Sequence, residues 1–133
     1  MTSLQAESGK RSLESLISDL RKWFVSGRLC SGGLTPAMFK SAGELFHAGC
    51  WCIVCVGEAA GEILADYPDF PDEDLKQKLE LAKGAGLHAL KNCLEMDAEL
   101  VWQTVEVSFV TISNALESRI KSRQMSHEQP TVP

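Results

Sequence analysis

No nucleophile elbow, P-loop, dinucleotide-binding fingerprint or zinc-protease motif occurs in the 133 residues, so the compact signatures through which catalysis is legible are missing. An enzyme is not expected. Basic charge is also short: 13 Lys and Arg against 18 Asp and Glu give a formal net charge of −5, which repels phosphate backbones unless bases gather on one face. They do not gather. Lys10 and Arg11, Arg21 and Lys22 beside Trp23, and Arg119 to Arg123 are separate spots, so nucleic-acid binding or mimicry is only a lesser alternative.

Residues 1–11, MTSLQAESGKR, lack the apolar stretch of a signal peptide. The most apolar window, 48–60, is about half the length of a membrane-spanning helix and is flanked by Glu44 and Glu58. The 5 cysteines are odd in number, and Cys50, Cys52 and Cys55 cluster inside an apolar run, unlike the framework of a small secreted domain. A reducing, cytoplasmic location is the expectation. No internal repeat or low-complexity tract appears. With 44% hydrophobic and 23% charged residues, the chain has the composition of a single globular domain.

What is present is helical periodicity. Leu13, Leu16, Ile17, Leu20 and Phe24 recur at three- and four-residue steps, which predicts a first helix over about 12–28. Cys30-Ser31-Gly32-Gly33-Leu34 breaks the pattern, because paired glycines ease left-handed turn conformations. Thr35 then offers a capping hydroxyl, and Pro36 suits the first helical position.

The second predicted helix, about 35–66, is the central element. Its seam reads Phe39, Ala42, Phe46, Gly49, Ile53, Val56, Ala60, Ile63, Tyr67, widened by a stripe of Met38, Leu45, Cys52, Cys55 and Ala59. Glycines 43, 49, 57 and 61 are costly in a helix and predict close approach of a neighbour, with a kink near Gly57. Residues 66–74 form an acidic connection with two prolines, ending in Asp72 as a helix cap.

A third helix carries Leu75, Leu79, Ala82, Gly86, Ala89, Cys93 and Met96, with Leu87, Leu90 and Leu94 alongside. The apolar phase then changes near 95–98, with Asp97 as a cap, to Trp102, Val105, Phe109, Ile112, Leu116 and Ile120. Val105 to Ile112 is rich in β-branched residues but has no partner strand, so context favours helix. The expected fold is all-α: an antiparallel four-helix bundle of four to five helices over 12–123, with a flexible arm over 1–11 and a disordered tail over 124–133.

His47, Cys50, Cys52 and Cys55 form H-x2-C-x-C-x2-C, with the composition of a soft-metal site. At about 100° per residue, Cys52 and Cys55 share one side of a helix while His47 and Cys50 share another, so the four cannot converge on one ion. Core packing is the simpler role, and no metal or cofactor is expected. Two of these thiols could still meet Cys30 or Cys93 from another helix. Glu44 and His47, with Glu58 and Glu62 farther along, match half of a di-iron bundle motif, but the second half is missing because Ala85 precedes His88.

The function these features favour is that of a small acidic protein-interaction module, an adaptor, inhibitor or assembly factor, that binds another protein or itself as a homodimer. Trp51 and Val54 lie outside the main seam of the second helix and Trp102 flanks the last, so surplus apolar surface is expected there. Asp69, Phe70, Asp72 and Asp74 make a second candidate surface, with Phe70 as an exposed anchor among acids. The alternative is a cysteine-based metal-binding or redox protein using Cys50, Cys52 and Cys55.

Overall fold

The computed structural model describes residues 10–92 and 95–128. In chain order the helices are α1 (Leu13–Ser31), α2 (Pro36–Ser41), α3 (Gly43–Asp66), α4 (Glu73–Asn92), α5 (Ala98–Gln103) and α6 (Phe109–Glu128). A π-helical turn, Thr104–Ser108, joins α5 to α6, so the last two form one continuous rod. No strand occurs among the described residues. The fold is an all-α helical bundle.

Local chemistry starts most of these helices. Ser12 Oγ accepts from the Ser15 N–H at 3.0 Å, Thr35 Oγ1 from Met38 N–H at 3.2 Å, Asp72 Oδ1 from Leu75 N–H at 2.9 Å and Asp97 Oδ1 from Glu99 N–H at 3.1 Å. Each satisfies an N–H that the helix cannot. Gly33, at φ 76°, makes the turn that follows α1.

Four helical rods pack antiparallel around the core. Gly27 of α1 lies against Phe109, while Arg21 pairs with Glu117 farther along, so α1 and α6 run in opposite directions. Gly57 of α3 meets Gly86 of α4, and Gly61 meets Lys83, which gives the same antiparallel sense. Tyr67, at the end of α3, donates to the carbonyl of Arg11 just before α1. Leu16, Leu20, Val56, Ile63, Leu75, Leu79, Phe109 and Leu116 are all 1% exposed or less, each contributing about 1.5–3 kcal/mol of burial.

Several expectations need correction. The second predicted helix is interrupted at Ala42 (φ −93°, ψ 68°), which separates α2 from α3. In an unbroken helix Phe39 would lie about 15 Å from Gly49. The break folds the short helix back so that the Phe39 ring packs on Gly49, within 3.0 Å of where a Cβ would sit. Past it, α3 continues without interruption through Gly57 to Asp66. α1 extends three residues beyond 28, to Ser31, whose buried hydroxyl donates to Glu106 at 2.5 Å. The expected tail is helical to Glu128, and 129–133 lie outside the described residues, as do 1–9 of the expected arm.

α3 is also the most apolar helix. By length and composition it could cross a bilayer, with an 18-residue window of mean hydropathy 1.5, which the narrower window 48–60 understates. Half of that window is buried within the bundle, as in the core helix of a globular fold.

Candidate interaction surface and the cysteine cluster

Cys50 and Cys52 are buried and Cys55 is half-buried, while His47 is exposed. Cys30, from α1, comes within hydrogen-bonding reach of Cys52, a meeting that sequence spacing permits without specifying. Burial pushes the Cys52 thiol up to about 12, reinforced by Cys30 and Cys55. Cys55 is also raised, first by burial and then by the carboxylates of Glu58 and Asp19, which outweigh Lys22. Burial raises Cys30, partly offset by its hydrogen bond with Cys52. These groups are neutral thiols at pH 7, whereas metal binding and thiol exchange need thiolates. No cluster of three His, Cys, Asp or Glu side chains among the described residues is arranged to hold a metal ion. Cys93 lies outside the described residues.

The acidic connection is built into the bundle. Phe70, expected as an exposed anchor, is only 4% exposed, so that expectation is overturned. Its carbonyl accepts from Arg119 Nε, and the Arg123 guanidinium stands 5.4 Å from its ring centroid. Phe70 thus fastens the connection to α6 through Arg119 and Arg123. Asp72 caps α4, and Asp74 pairs with Lys78 at 2.6 Å one turn on. Asp69 is exposed. Trp102 is likewise engaged within the fold, half-buried, with its indole N–H donating to the Leu34 carbonyl at 2.8 Å.

Trp51 and Val54 lead to a different surface. Trp51 is 56% exposed, and Val54, one turn along α3, is half-buried at the edge of a groove between α3 and α4. Across that groove stand Leu87 and Leu90 of α4, 51% and 58% exposed. The groove encloses about 320 Å³. Its floor is formed where the helices touch: a Cβ on Gly57 would lie 2.8 Å from both the Ala82 carbonyl oxygen and the Gly86 Cα. Small residues at that crossing bring the backbones together and leave the flanking side chains standing proud.

Charge is ordered along the same face. On α3 the stripe runs Trp51, Val54, Glu58, Gly61, Ala65, with Glu62 beside it, so the apolar half precedes the acidic half. On α4 it runs Lys76, Glu80, Lys83, Leu87, Leu90, so a mainly basic half precedes the apolar half. Because the helices are antiparallel, the apolar halves share one end of the hairpin. Sequence reading found Trp51 and Val54 because they lie off the core seam. It placed Leu87 and Leu90 alongside the seam without assigning them to a surface, because three- and four-residue spacing alone does not say which of two neighbouring stripes faces inward.

A second groove, about 340 Å³, lies between α4 and the π turn with α6. Ile53, Val56, Ala82, Phe109 and Ile112 line it, and Leu81, 75% exposed, overhangs its rim. Two of its three hydroxyls are occupied internally: Thr104 donates to the Leu100 carbonyl and Thr111 to that of Val107.

Comparison of the chain with protein-family models, with curated proteins and with solved structures finds no match.

Proposed function

We propose that this protein is a helical protein-interaction module, and that the outer face of the α3/α4 hairpin is the surface it presents. One observation carries the reading. Leu87 and Leu90, each more than half exposed, line a groove between α3 and α4 that the bundle does not fill, and Trp51, 56% exposed, stands on α3 one turn before Val54 of that groove. Grouped exposure of large apolar side chains opposes solubility unless a partner covers them, and aromatic residues beside a groove are the usual anchors of protein interfaces. The raised cysteine thiols weigh against the redox and metal alternative, since they disfavour the thiolate. Asp72 and Asp74 of the connection have structural partners, which moves weight from that loop to the hairpin.

The test is a photo-crosslinking residue placed at position 87 in the full chain, expressed in its host cell, with the same residue at position 29 as control. Leu29 is 76% exposed on α1, away from the hairpin face. Discrete protein adducts from 87 and none from 29 are the expected result, and Trp51→Glu should abolish them. Equal labelling at both positions, or none at 87, overturns the reading. Elemental analysis and a native thiol count check the rival: a stoichiometric metal or several fast-reacting thiols would replace the interaction reading with a cysteine-based one.

A further inference from the structure

We propose that Cys30 and Cys52 are a thiol pair that a low-molecular-weight disulfide closes, Cys30 attacking and Cys52 resolving, so that oxidation clamps the end of α1 to α3.

The fold assembles this pair from distant parts of the chain. Cys30 is the penultimate residue of α1 and Cys52 lies inside α3, and their thiols meet in a side-chain hydrogen bond across the packed helices. The last turn of α1 is held there by Ser31, fully buried, whose hydroxyl donates to Glu106 at 2.5 Å. Bonding needs the two sulfurs to close from contact to about 2 Å. Cys55 is worse placed as a partner for Cys52. It is three residues on in the same uninterrupted helix, where Cβ atoms stand about 5–6 Å apart, beyond the roughly 4 Å that a disulfide spans.

The two sulfurs are unequal. Cys30 is half-buried and open to a reagent, whereas Cys52 is 3% exposed. Their hydrogen bond lowers Cys30 and raises Cys52, so Cys52 donates and Cys30 is the sulfur that ionises first. Access and polarity therefore agree on Cys30 as the attacking group. Burial still keeps its thiolate scarce at pH 7, so closure takes on the order of hours and involves no fast-reacting thiol.

With glutathione disulfide as the oxidant, the Cys30 thiolate attacks one of its sulfurs. That S–S bond breaks and expels a glutathione thiolate, which takes up the proton Cys30 released. Cys52 then attacks the Cys30 sulfur of the mixed disulfide, held beside it at high effective concentration, and its proton goes to the second departing glutathione. Two S–H bonds of the protein give one S–S bond, and the two electrons reduce the oxidant to two thiols.

The test incubates the natively folded full chain in glutathione buffers from fully reduced to fully oxidised, quenches with acid and maps tryptic peptides by mass spectrometry. Trypsin separates Cys30, in 29–40, from Cys50, Cys52 and Cys55, in 41–76. The expected product links 29–40 to 41–76 and survives Cys50→Ser and Cys55→Ser. Cys52→Ala should stop at a glutathione adduct on Cys30, and Cys30→Ser should leave Cys52 unmodified, each read at a temperature where its circular dichroism matches the wild type. Closure should raise the melting temperature by about 10 °C, because it ties off the segment 30–52 in the unfolded chain, and reductant should reverse the shift. No link at any ratio, a link that persists in Cys52→Ala, or a bond confined to 41–76 overturns the proposal. So does a glutathione adduct on Cys52 in Cys30→Ser, or a melting temperature that closure leaves unchanged or lowers.

Discussion

At the residue scale, glycine carries more of the architecture than any apolar side chain. Gly57 and Gly86 face each other so closely that the obstacle to a Cβ is backbone, which cannot rotate away. Gly57→Ala is expected to destabilise by about 1–3 kcal/mol through overpacking. Gly84 has nothing within 4 Å of a Cβ and sits in the same helix, so Gly84→Ala should stabilise by up to about 1 kcal/mol. Chemical denaturation of both variants checks the contrast, and equal effects would mean that helix propensity rather than contact decides. The density of glycines in α3 signalled this approach from sequence. Gly27 did not stand out, although a Cβ there would meet the Phe109 ring at 2.5 Å, because a lone glycine between polar residues gives no hint of what will cross it.

Cys52 offers a second check at this scale. Its thiol is held near 12 in the fold, above its ordinary value of 9.0, mainly by burial. Between those values the unfolded chain releases a proton that the folded one keeps, so stability is intact below pH 9 and falls as pH rises toward 12. Cys52→Ala should cost about 1 kcal/mol at pH 7 from the small cavity. The gap to wild type should then narrow as the pH is raised above 9. Denaturation midpoints at pH 7 and pH 10 measure it, and a gap independent of pH would mean that the thiol does not ionise differently in the two states.

At the scale of the element, helix starts were the most legible feature because caps are local chemistry. Thr35, Asp72 and Asp97 each accept the bond that their position in the sequence implies. Asp72→Ala should therefore cost about 1 kcal/mol by thermal or chemical unfolding. No loss would show that the cap bond is worth nothing in solution and would return this acid to the docking surface. The break at Ala42 and the π turn were not legible. Both are answers to tertiary demands, one seating Phe39 on Gly49 and the other carrying the apolar stripe from Val105 to Phe109, and neither has a sequence signature of its own. The β-branched run Val105 to Ile112, ambiguous in isolation, takes the helical form that its neighbours impose.

At the scale of the whole molecule, the seams of all four rods were visible as periodicity, and so the fold class was too. The candidate surface was half visible. Trp51 and Val54 betrayed themselves by lying off the seam, whereas Phe70 was misjudged because a phenylalanine between prolines looks exposed until α6 is placed over it. Which stripe of α4 faces solvent depends on where α6 runs, and that is a property of the assembled bundle.

The short connection between α3 and α4, residues 67–72, has a consequence in time as well as in space. Closing so small a loop loses little chain entropy, and contacts close in sequence form early. The hairpin should be the nucleus from which the bundle folds, with α1 and α6 condensing on it later. Substitutions at its inner face, such as Ile53→Val, should slow folding, while Leu116→Ala in α6 should chiefly speed unfolding, as stopped-flow chevrons would record. The first structure to form would then be the one that carries the exposed apolar face, so the nascent chain would present that face before its own core is closed.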